Sequence, residues 1–302
     1  MQRVIQTLTI AAIAAAFAGC GGSSSSSSTT TTGSGSSTTA AAGVDKAAAA
    51  LVPQAVKSKG EMVVASDASY APMEFVGTDG KTIEGFDPDM AQAIAKVLGL
   101  KAKVVNASFD GILPGLASGK YDVGMSSFTD TKEREKTVNF VTYFSAGTHF
   151  FVKADGGPAI NTLDDLCGHK VAVEKGTTQQ NDALAQTKKC RAAGKPGVTV
   201  LVFPDQNSAN LALSTGRADV GMADAPVVAY QVEKSGGKFK ISGEQYGAAP
   251  FGIAMAKGND MDKAILAAMK VLIADGQYKT ILSKWGVSDQ GITEPTINGA
   301  TS

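Results

Sequence analysis

The chain has 302 residues, 43% of them hydrophobic and 19% charged, with 28 basic residues against 28 acidic ones. This length supports two lobes with cores of their own. The even charge gives no electrostatic footprint for nucleic acid, and no apolar run after Phe17 approaches the roughly 20 residues of a membrane-spanning helix.

The chain opens with Arg3, a short apolar run from Val4 to Phe17, and the small residues Ala18 and Gly19 before Cys20. A charged start, a short apolar middle and a small-residue end read as an export signal. The ending resembles a bacterial lipobox, in which the cysteine is lipidated and becomes the new N-terminus, with Phe17 where that pattern prefers leucine. The expectation is a lipoprotein signal peptide over 1–20 and a lipid anchor on Cys20; an ordinary signal peptide is the alternative. Residues 21–43 are nearly all Ser, Thr, Gly and Ala. Such a segment cannot build a core and is expected to be a disordered tether of roughly 25–30 Å reach. In an oxidising compartment the two remaining cysteines, Cys167 and Cys190, are expected to pair, with two buried free thiols as the alternative. His149 and His169 lie far from any CxxC pattern, so neither a metal nor a cofactor is expected.

From residue 44 onward, β-rich runs alternate with helical patterns, which predicts α/β layers. The expected strands are Met62–Ser66, Lys103–Asn106, Asp122–Met125, Phe150–Lys153, Lys170–Val173, Val198–Phe203, Asp219–Met222 and Phe251–Met255. One helix is expected with Asp87 as N-cap, Pro88 at its first position, Met90, Ile94, Val97 and Leu98 on one face, and Gly99 as its stop. A second is expected from Asp110 to Ser118, ending at Gly119. An internal echo links two junctions: Leu116-Ala-Ser-Gly-Lys-Tyr-Asp-Val-Gly-Met recurs as Leu213-Ser-Thr-Gly-Arg-Ala-Asp-Val-Gly-Met. It predicts two related lobes. Polar loops follow the strand ends at Ser66, Met125, Val173 and Met222, and ligands of open parallel sheets bind beyond such ends.

The stretch Ser66-Asp67-Ala68-Ser69-Tyr70-Ala71-Pro72-Met73-Glu74-Phe75, followed by Gly85-Phe86-Asp87-Pro88-Asp89-Met90, resembles the opening of the family 3 extracellular solute-binding proteins. These are amino-acid receptors of ABC importers, such as the lysine/arginine/ornithine- and glutamine-binding proteins. The resemblance continues through Asp122 to Arg134, Gly176 to Gln179, Arg217 to Asp224 and Tyr278…Trp285-Gly286. Pro88 departs from it, where the family carries an aliphatic residue. It implies a two-lobed periplasmic-binding-protein fold with a two-crossover hinge. Lobe 1 would span 44–146 and 249–302, and lobe 2 would span 147–248. The implied partners are a polar amino acid, the permease subunits of an ABC transporter and a membrane reached through the lipid anchor, for a monomeric protein outside the cytoplasm.

A free amino acid brings a carboxylate, an ammonium and a side chain, and burying unpaired charge costs several kcal/mol. The carboxylate needs a planar fork of donors. The resemblance puts Arg134 there, with backbone N–H groups from the Thr177–Thr178 loop and Gln179 lining the pocket. On residues alone, Arg134 within Lys132-Glu133-Arg134-Glu135-Lys136 also reads as part of a solvated helix face. Asp224 is implied for the ammonium, although an N-cap before Ala225-Pro226 is its plain alternative. Ser126, Ser127 and Thr129 complete that end. Asp67, Tyr70, Glu74 and Phe109 match the region around the side chain, with the aromatics stacking on its stem and the acids tilting the expectation toward a basic or amide ligand. Cyclohexadienyl dehydratases resemble the same family, so an enzyme on this fold is the alternative. The sequence shows neither a Ser-His-Asp signature nor a Gly-x4-Gly-Lys phosphate loop, and no enzymatic activity is expected.

Overall fold

The computed structural model describes residues 43–301. The export segment, Cys20 and the linker as far as residue 42 lie outside the described residues. Two short helices, α1 (Lys46–Ala50) and α2 (Gln54–Lys59), lead into strand β1 (Glu61–Ser66). A small hairpin sheet follows: β2 (Ser69–Tyr70), β3 (Glu74–Val76) and β4 (Ile83–Glu84). Then come α3 (Phe86–Val97), β5 (Lys101–Asn106), α4 (Phe109–Ala117) and β6 (Val123–Gly124). The long strand β7 (Val138–Lys153) leads to β8 (Lys170–Glu174), α5 (Thr178–Ala192), β9 (Thr199–Phe203), α6 (Gln206–Ser214), β10 (Val220–Asp224) and α7 (Ala225–Lys234). A second long strand, β11 (Phe239–Ala256), returns to α8 (Met261–Ala274) and α9 (Gln277–Lys284).

The main sheet runs in the order β5-β1-β6-β11-β7-β10-β8-β9. β1 is parallel to β5 and β6 at one end, and β8 is parallel to β9 and β10 at the other. Between them β7 and β11 pair antiparallel along most of their length. Among the described residues, the buried apolar side chains form four clusters, the largest of which continues from one end of the sheet to Leu213, Val227, Val228 and Phe239 at the other. One large core gathers around α3, α8 and α9, with Met90, Ile94, Ile265 and Leu272 buried. A second gathers Phe150, Val152, Val171, Val173 and Cys190 under β8 and α5. Two α/β lobes sharing one pair of long strands are the result.

Two expectations need correction. The strands expected over Phe150–Lys153 and Phe251–Met255 are the ends of 16- and 18-residue strands. The missed part, Val138 to Phe144, is rich in β-branched and aromatic residues, and pairing with β11 joins it across Ser145, Gly147 and His149 to Phe150–Lys153. The register shifts between Ser242 and Tyr246, between Tyr246 and Ala249, and between Phe251 and Gly252. Nor is Asp87 the cap of α3. The helix begins at Phe86, and Gly85 holds the cap position with φ 138°. A side chain on Gly85 would run into the backbone of Met73. Asp87 is wholly buried and accepts from the Tyr143 hydroxyl at 2.7 and 2.9 Å and from the Ser127 N–H at 2.8 Å. Its main partner stands 56 residues away, beyond any local signal.

The echoed junctions fold alike. Gly119 and Gly216 both take left-handed backbone, with φ of 72° and 75°. Asp122 accepts from the Val63 N–H and Asp219 from the Lys170 N–H, each at 2.8 Å. In return the Asp122 N–H donates to the Val63 carbonyl and the Asp219 N–H to the Lys170 carbonyl. The shared aspartate thus locks the start of one strand to its parallel neighbour in each lobe.

Cys167 and Cys190 form a disulfide. It matters because α5 has little apolar anchorage: its buried residues are Gln179, Ala183, Gln186 and Cys190. Closing a loop of 23 residues contributes roughly 3 kcal/mol by the chain-entropy estimate. Among the described residues no helix is long and apolar enough to cross a membrane.

Candidate functional site

The carboxyl ends of β1, β6, β8 and β10 point toward one cleft. All twelve residues expected at the site line a single cavity there, with one addition, Glu174. Asp67 lies just past β1, Tyr70 and Glu74 lie on the hairpin sheet, and Phe109 opens α4. Ser126, Ser127 and Thr129 follow β6, Thr177 and Thr178 open α5, and Asp224 ends β10.

Arg134 begins a short 3-10 turn, Arg134–Lys136; Lys132, Glu133 and Lys136 are exposed, as the solvated reading expected, whereas Arg134 lines the cavity. Its guanidinium donates to the Thr129 carbonyl at 2.8 Å and to the Gly176 carbonyl at 3.0 Å. It also lies 5.5 Å from the centre of the Phe109 ring and 5.3 Å from that of Phe128. Those rings stack on each other at 4.4 Å. Burial lowers its pKa to about 10, which leaves it charged at neutral pH. Thr177 caps α5: its hydroxyl donates to the Glu174 carbonyl at 2.8 Å and accepts from the Gln180 N–H at 3.2 Å. The helix N-terminus therefore faces the cavity with N–H groups that favour an anion.

Asp224 occupies the N-cap position of α7 without capping it. Its carboxylate accepts from Gln179 Nε2 at 2.8 Å and from the Tyr70 hydroxyl at 3.0 Å. The Asp224 N–H donates back to the Tyr70 hydroxyl at 2.9 Å. Burial pushes its pKa up to about 7, while the Tyr70 and Gln179 hydrogen bonds and nearby Arg134 pull the other way. Gln179 also donates to Thr148 at 2.9 Å, which ties the site to β7.

The far end of the cavity is acidic. Asp67 accepts from the Phe109 N–H at 2.9 Å, and its pKa is raised by burial. Glu174 is 2% exposed, and its Oε1 has no hydrogen-bond partner. Burial first, then the charges of Asp67 and Asp205, hold its carboxyl well above the usual range. Sequence reasoning missed Glu174. The available signal was its place directly after Val171-Ala-Val, on the side of the gap that also holds Gly176 and Thr177.

Glu74 sits deeper. It is fully buried, its Oε1 accepts from Ser126 Oγ at 2.8 Å, and its Oε2 is unpartnered. Burial and neighbouring Asp87 raise its pKa strongly. Ser126 Oγ accepts in turn from the Asp67 N–H at 2.9 Å. Ser127 has φ 49°, an uncommon conformation for a residue other than glycine, and its N–H is fixed by Asp87. Its hydroxyl is buried without a partner. Glu74 and Asp87 thus support the serine loop from beneath.

Two α/β lobes enclosing a buried polar pocket at their strand ends define a two-lobed solute-binding protein. Residues 62–288 match the bacterial extracellular solute-binding proteins, family 3. The chain belongs to this family, whose members work outside the cytoplasm. It is 34% identical over 250 residues to the arginine-binding protein ArgT of Corynebacterium glutamicum, covering 82% of each chain. A solved ancestral arginine-binding protein bound to arginine superposes with a TM-score of 0.68 at 38% identity, covering 75% of this chain and 98% of that one. The ancestral amino acid-binding protein AncCDT-1, described as a precursor of cyclohexadienyl dehydratase, gives a TM-score of 0.69 at 33% identity, covering 76% and 97%.

Proposed function

We propose that the protein is the substrate-binding component of an ABC importer and that it captures a basic L-amino acid, of which L-arginine is the first candidate. One observation carries the ligand class: Arg134 is the single cationic side chain lining the cavity, against Asp67, Glu74, Glu174 and Asp224. A ligand with one carboxylate and two cationic groups complements that set. Its carboxylate meets Arg134 and the N-terminus of α5. Its ammonium meets Asp224, and its side-chain cation runs past Tyr70 and Phe109 toward Asp67 and Glu174. Glu174 favours a full cation over an amide at that end. Relatives named for arginine support the same class, while others are named for cystine and glutamine.

The ligand touches both halves of the sheet, so binding favours closure. The lobe boundaries we propose are 44–146 with 249–302, and 147–248. Lipidation of Cys20 at the end of a signal peptide would hold a monomeric receptor near its permease on the tether that follows. A thermal-shift panel of the twenty amino acids with ornithine and citrulline tests the assignment, since a ligand of the native state alone raises the melting temperature. Arginine, lysine or ornithine should give the largest rise. A rise with citrulline or glutamine equal to that with arginine overturns the basic class.

A second reading, a dehydratase on this fold, draws on Glu174 and Asp224, acids whose raised pKa values suit proton donation. Incubation with prephenate or arogenate tests it. Product formation that is lost in Glu174→Gln would replace the transport reading.

A further inference from the structure

The run Lys132-Glu133-Arg134-Glu135-Lys136 lacks an apolar side chain, and Lys132, Glu133 and Lys136 are exposed. Such a segment has little apolar anchorage apart from the stem of Arg134, whose guanidinium faces the cavity against Phe109 and Phe128. The chain's last residues supply a further anchor. After α9 the chain runs back beside β7. The Thr142 N–H donates to the Thr296 carbonyl, and the Thr296 N–H donates to Thr142 Oγ1, both at 2.9 Å. Asn298 donates its N–H to the Phe140 carbonyl at 2.9 Å and accepts from the Phe140 N–H through Oδ1 at 2.9 Å. Val141 and Ile297 form an antiparallel bridge. Beyond this edge the tail reaches the arginine turn itself. The Gly299 N–H donates to Asp130 Oδ2 at 2.8 Å, and the Ala300 N–H donates to Glu135 Oε1 at 3.1 Å. These two carboxylates bracket Arg134 in sequence. Asp130 is fully buried, and its own N–H donates to the Pro250 carbonyl at 2.8 Å. Within the turn, the Arg134 N–H donates to Thr131 Oγ1 at 3.2 Å and the Glu135 N–H to the Thr131 carbonyl at 2.9 Å.

We propose that the C-terminal segment Thr296–Ala300 is a positioning element for the ligand site: it clamps the 130–135 turn through Asp130 and Glu135 and so pre-sets Arg134 for a carboxylate. Preorganised donors bind more tightly because the cost of ordering them is met before the ligand arrives. Among the described residues, the hydrogen bonds of the segment end on Asn139, Phe140, Thr142, Asp130 and Glu135, none of which lines the cavity. The effect of the clamp on affinity rests on the reading of Arg134 as the carboxylate fork, whereas its effect on the order of the turn does not.

Two variants test the clamp: a chain ending at Pro295, and Gly299→Pro, which removes the donor to Asp130 and loosens the end of the tail, because its ring would crowd the side chains of Thr142 and Thr296. Hydrogen–deuterium exchange is measured first, without ligand. Both variants should speed exchange across 129–137 while α3 and α8 keep wild-type protection. Unchanged exchange over 129–137 in both overturns the proposal, whatever the ligand. Calorimetry then compares L-arginine with agmatine, which lacks the carboxylate. Both variants should lose about tenfold or more of the preference for arginine over agmatine, with Arg134→Ala as the reference. A collapsed preference in Arg134→Ala with an intact one in the tail variants overturns the clamp. An intact preference in Arg134→Ala overturns the reading of Arg134 instead.

Discussion

Arg134 is held by neutral carbonyls, from Thr129 and Gly176, and so keeps its full charge for a ligand. Arg134→Ala should weaken binding of the basic amino acid by about 2–5 kcal/mol, roughly 30-fold to several thousand-fold. The unliganded melting temperature should change little, because the lost bonds end on loops. Calorimetry with a parallel thermal melt checks both halves. Asp224 sets the pH response. Its pKa near 7 lies above the ordinary carboxylate value because burial disfavours the charge, and a ligand ammonium needs the charged form. Affinity should therefore fall as the pH drops below about 7, by up to tenfold per unit, and Asp224→Asn should flatten the slope. The stability of the empty protein runs the other way. A carboxyl whose folded pKa is raised binds its proton more tightly when folded, so it stabilises at low pH and loses that contribution as the pH rises through about 7. Glu174 and Asp67, also raised by burial, act in the same direction. Melts and titrations between about pH 5 and 8 should show the empty protein gaining from acidification while the ligand-induced shift shrinks. Parallel trends in both would contradict this account.

Among the elements, α5 carries the largest contrast between importance and anchorage. It presents Thr177, Thr178 and Gln179 to the cavity, yet it buries mostly polar side chains. The Cys167–Cys190 disulfide fastens its C-terminal end to the turn before β8. Replacing both cysteines with serine should cost roughly 3 kcal/mol in urea unfolding, and a reductant should have the same effect on the wild type. An equal stability of oxidised and reduced protein would mean that α5 is held by other means. The local elements around the site were largely legible. The echo at Leu116 and Leu213 reported two junctions that do fold alike. Asp87 was misread as a cap because Gly85 and Tyr143, which decide its place, act through backbone conformation and through a contact 56 residues distant. The true length of β7 depends on pairing too, since β11 joins the strand-forming run Val138 to Phe144 with Phe150–Lys153 across Ser145, Gly147 and His149.

On the scale of the whole molecule, the two halves of the sheet meet directly across the cleft. Tyr70 bonds to Asp224, Arg134 to Gly176, the Gln206 N–H to Ser69 Oγ at 3.1 Å, and Lys175 pairs with Asp110 at 2.7 Å. Such contacts hold the halves together around the cavity, and the proposed ligand would bridge the same gap. Small-angle scattering should show a smaller radius of gyration with saturating ligand than without. Lys175→Ala should leave the liganded value unchanged, expand the empty protein slightly and cost less than about 1 kcal/mol of affinity, as expected for a half-exposed ion pair. Identical scattering with and without ligand would rule out closure.

The α/β layering, the two related lobes and the residues gathered at the strand ends were readable from the amino-acid order, because each depends on a pattern within a few residues or on a resemblance spanning the chain. Three things needed the folded molecule. Glu174 became a cavity residue only when β8 was set opposite Asp67. The guanidinium of Arg134 could be told from a solvated charge only when it was seen against Phe109 and Phe128 and bonded to the Thr129 and Gly176 carbonyls. The pKa of Asp224 follows from burial against Tyr70 and Gln179, which stand 154 and 45 residues away. In each case the deciding quantity is desolvation beside a distant partner, and that is a property of packing in three dimensions.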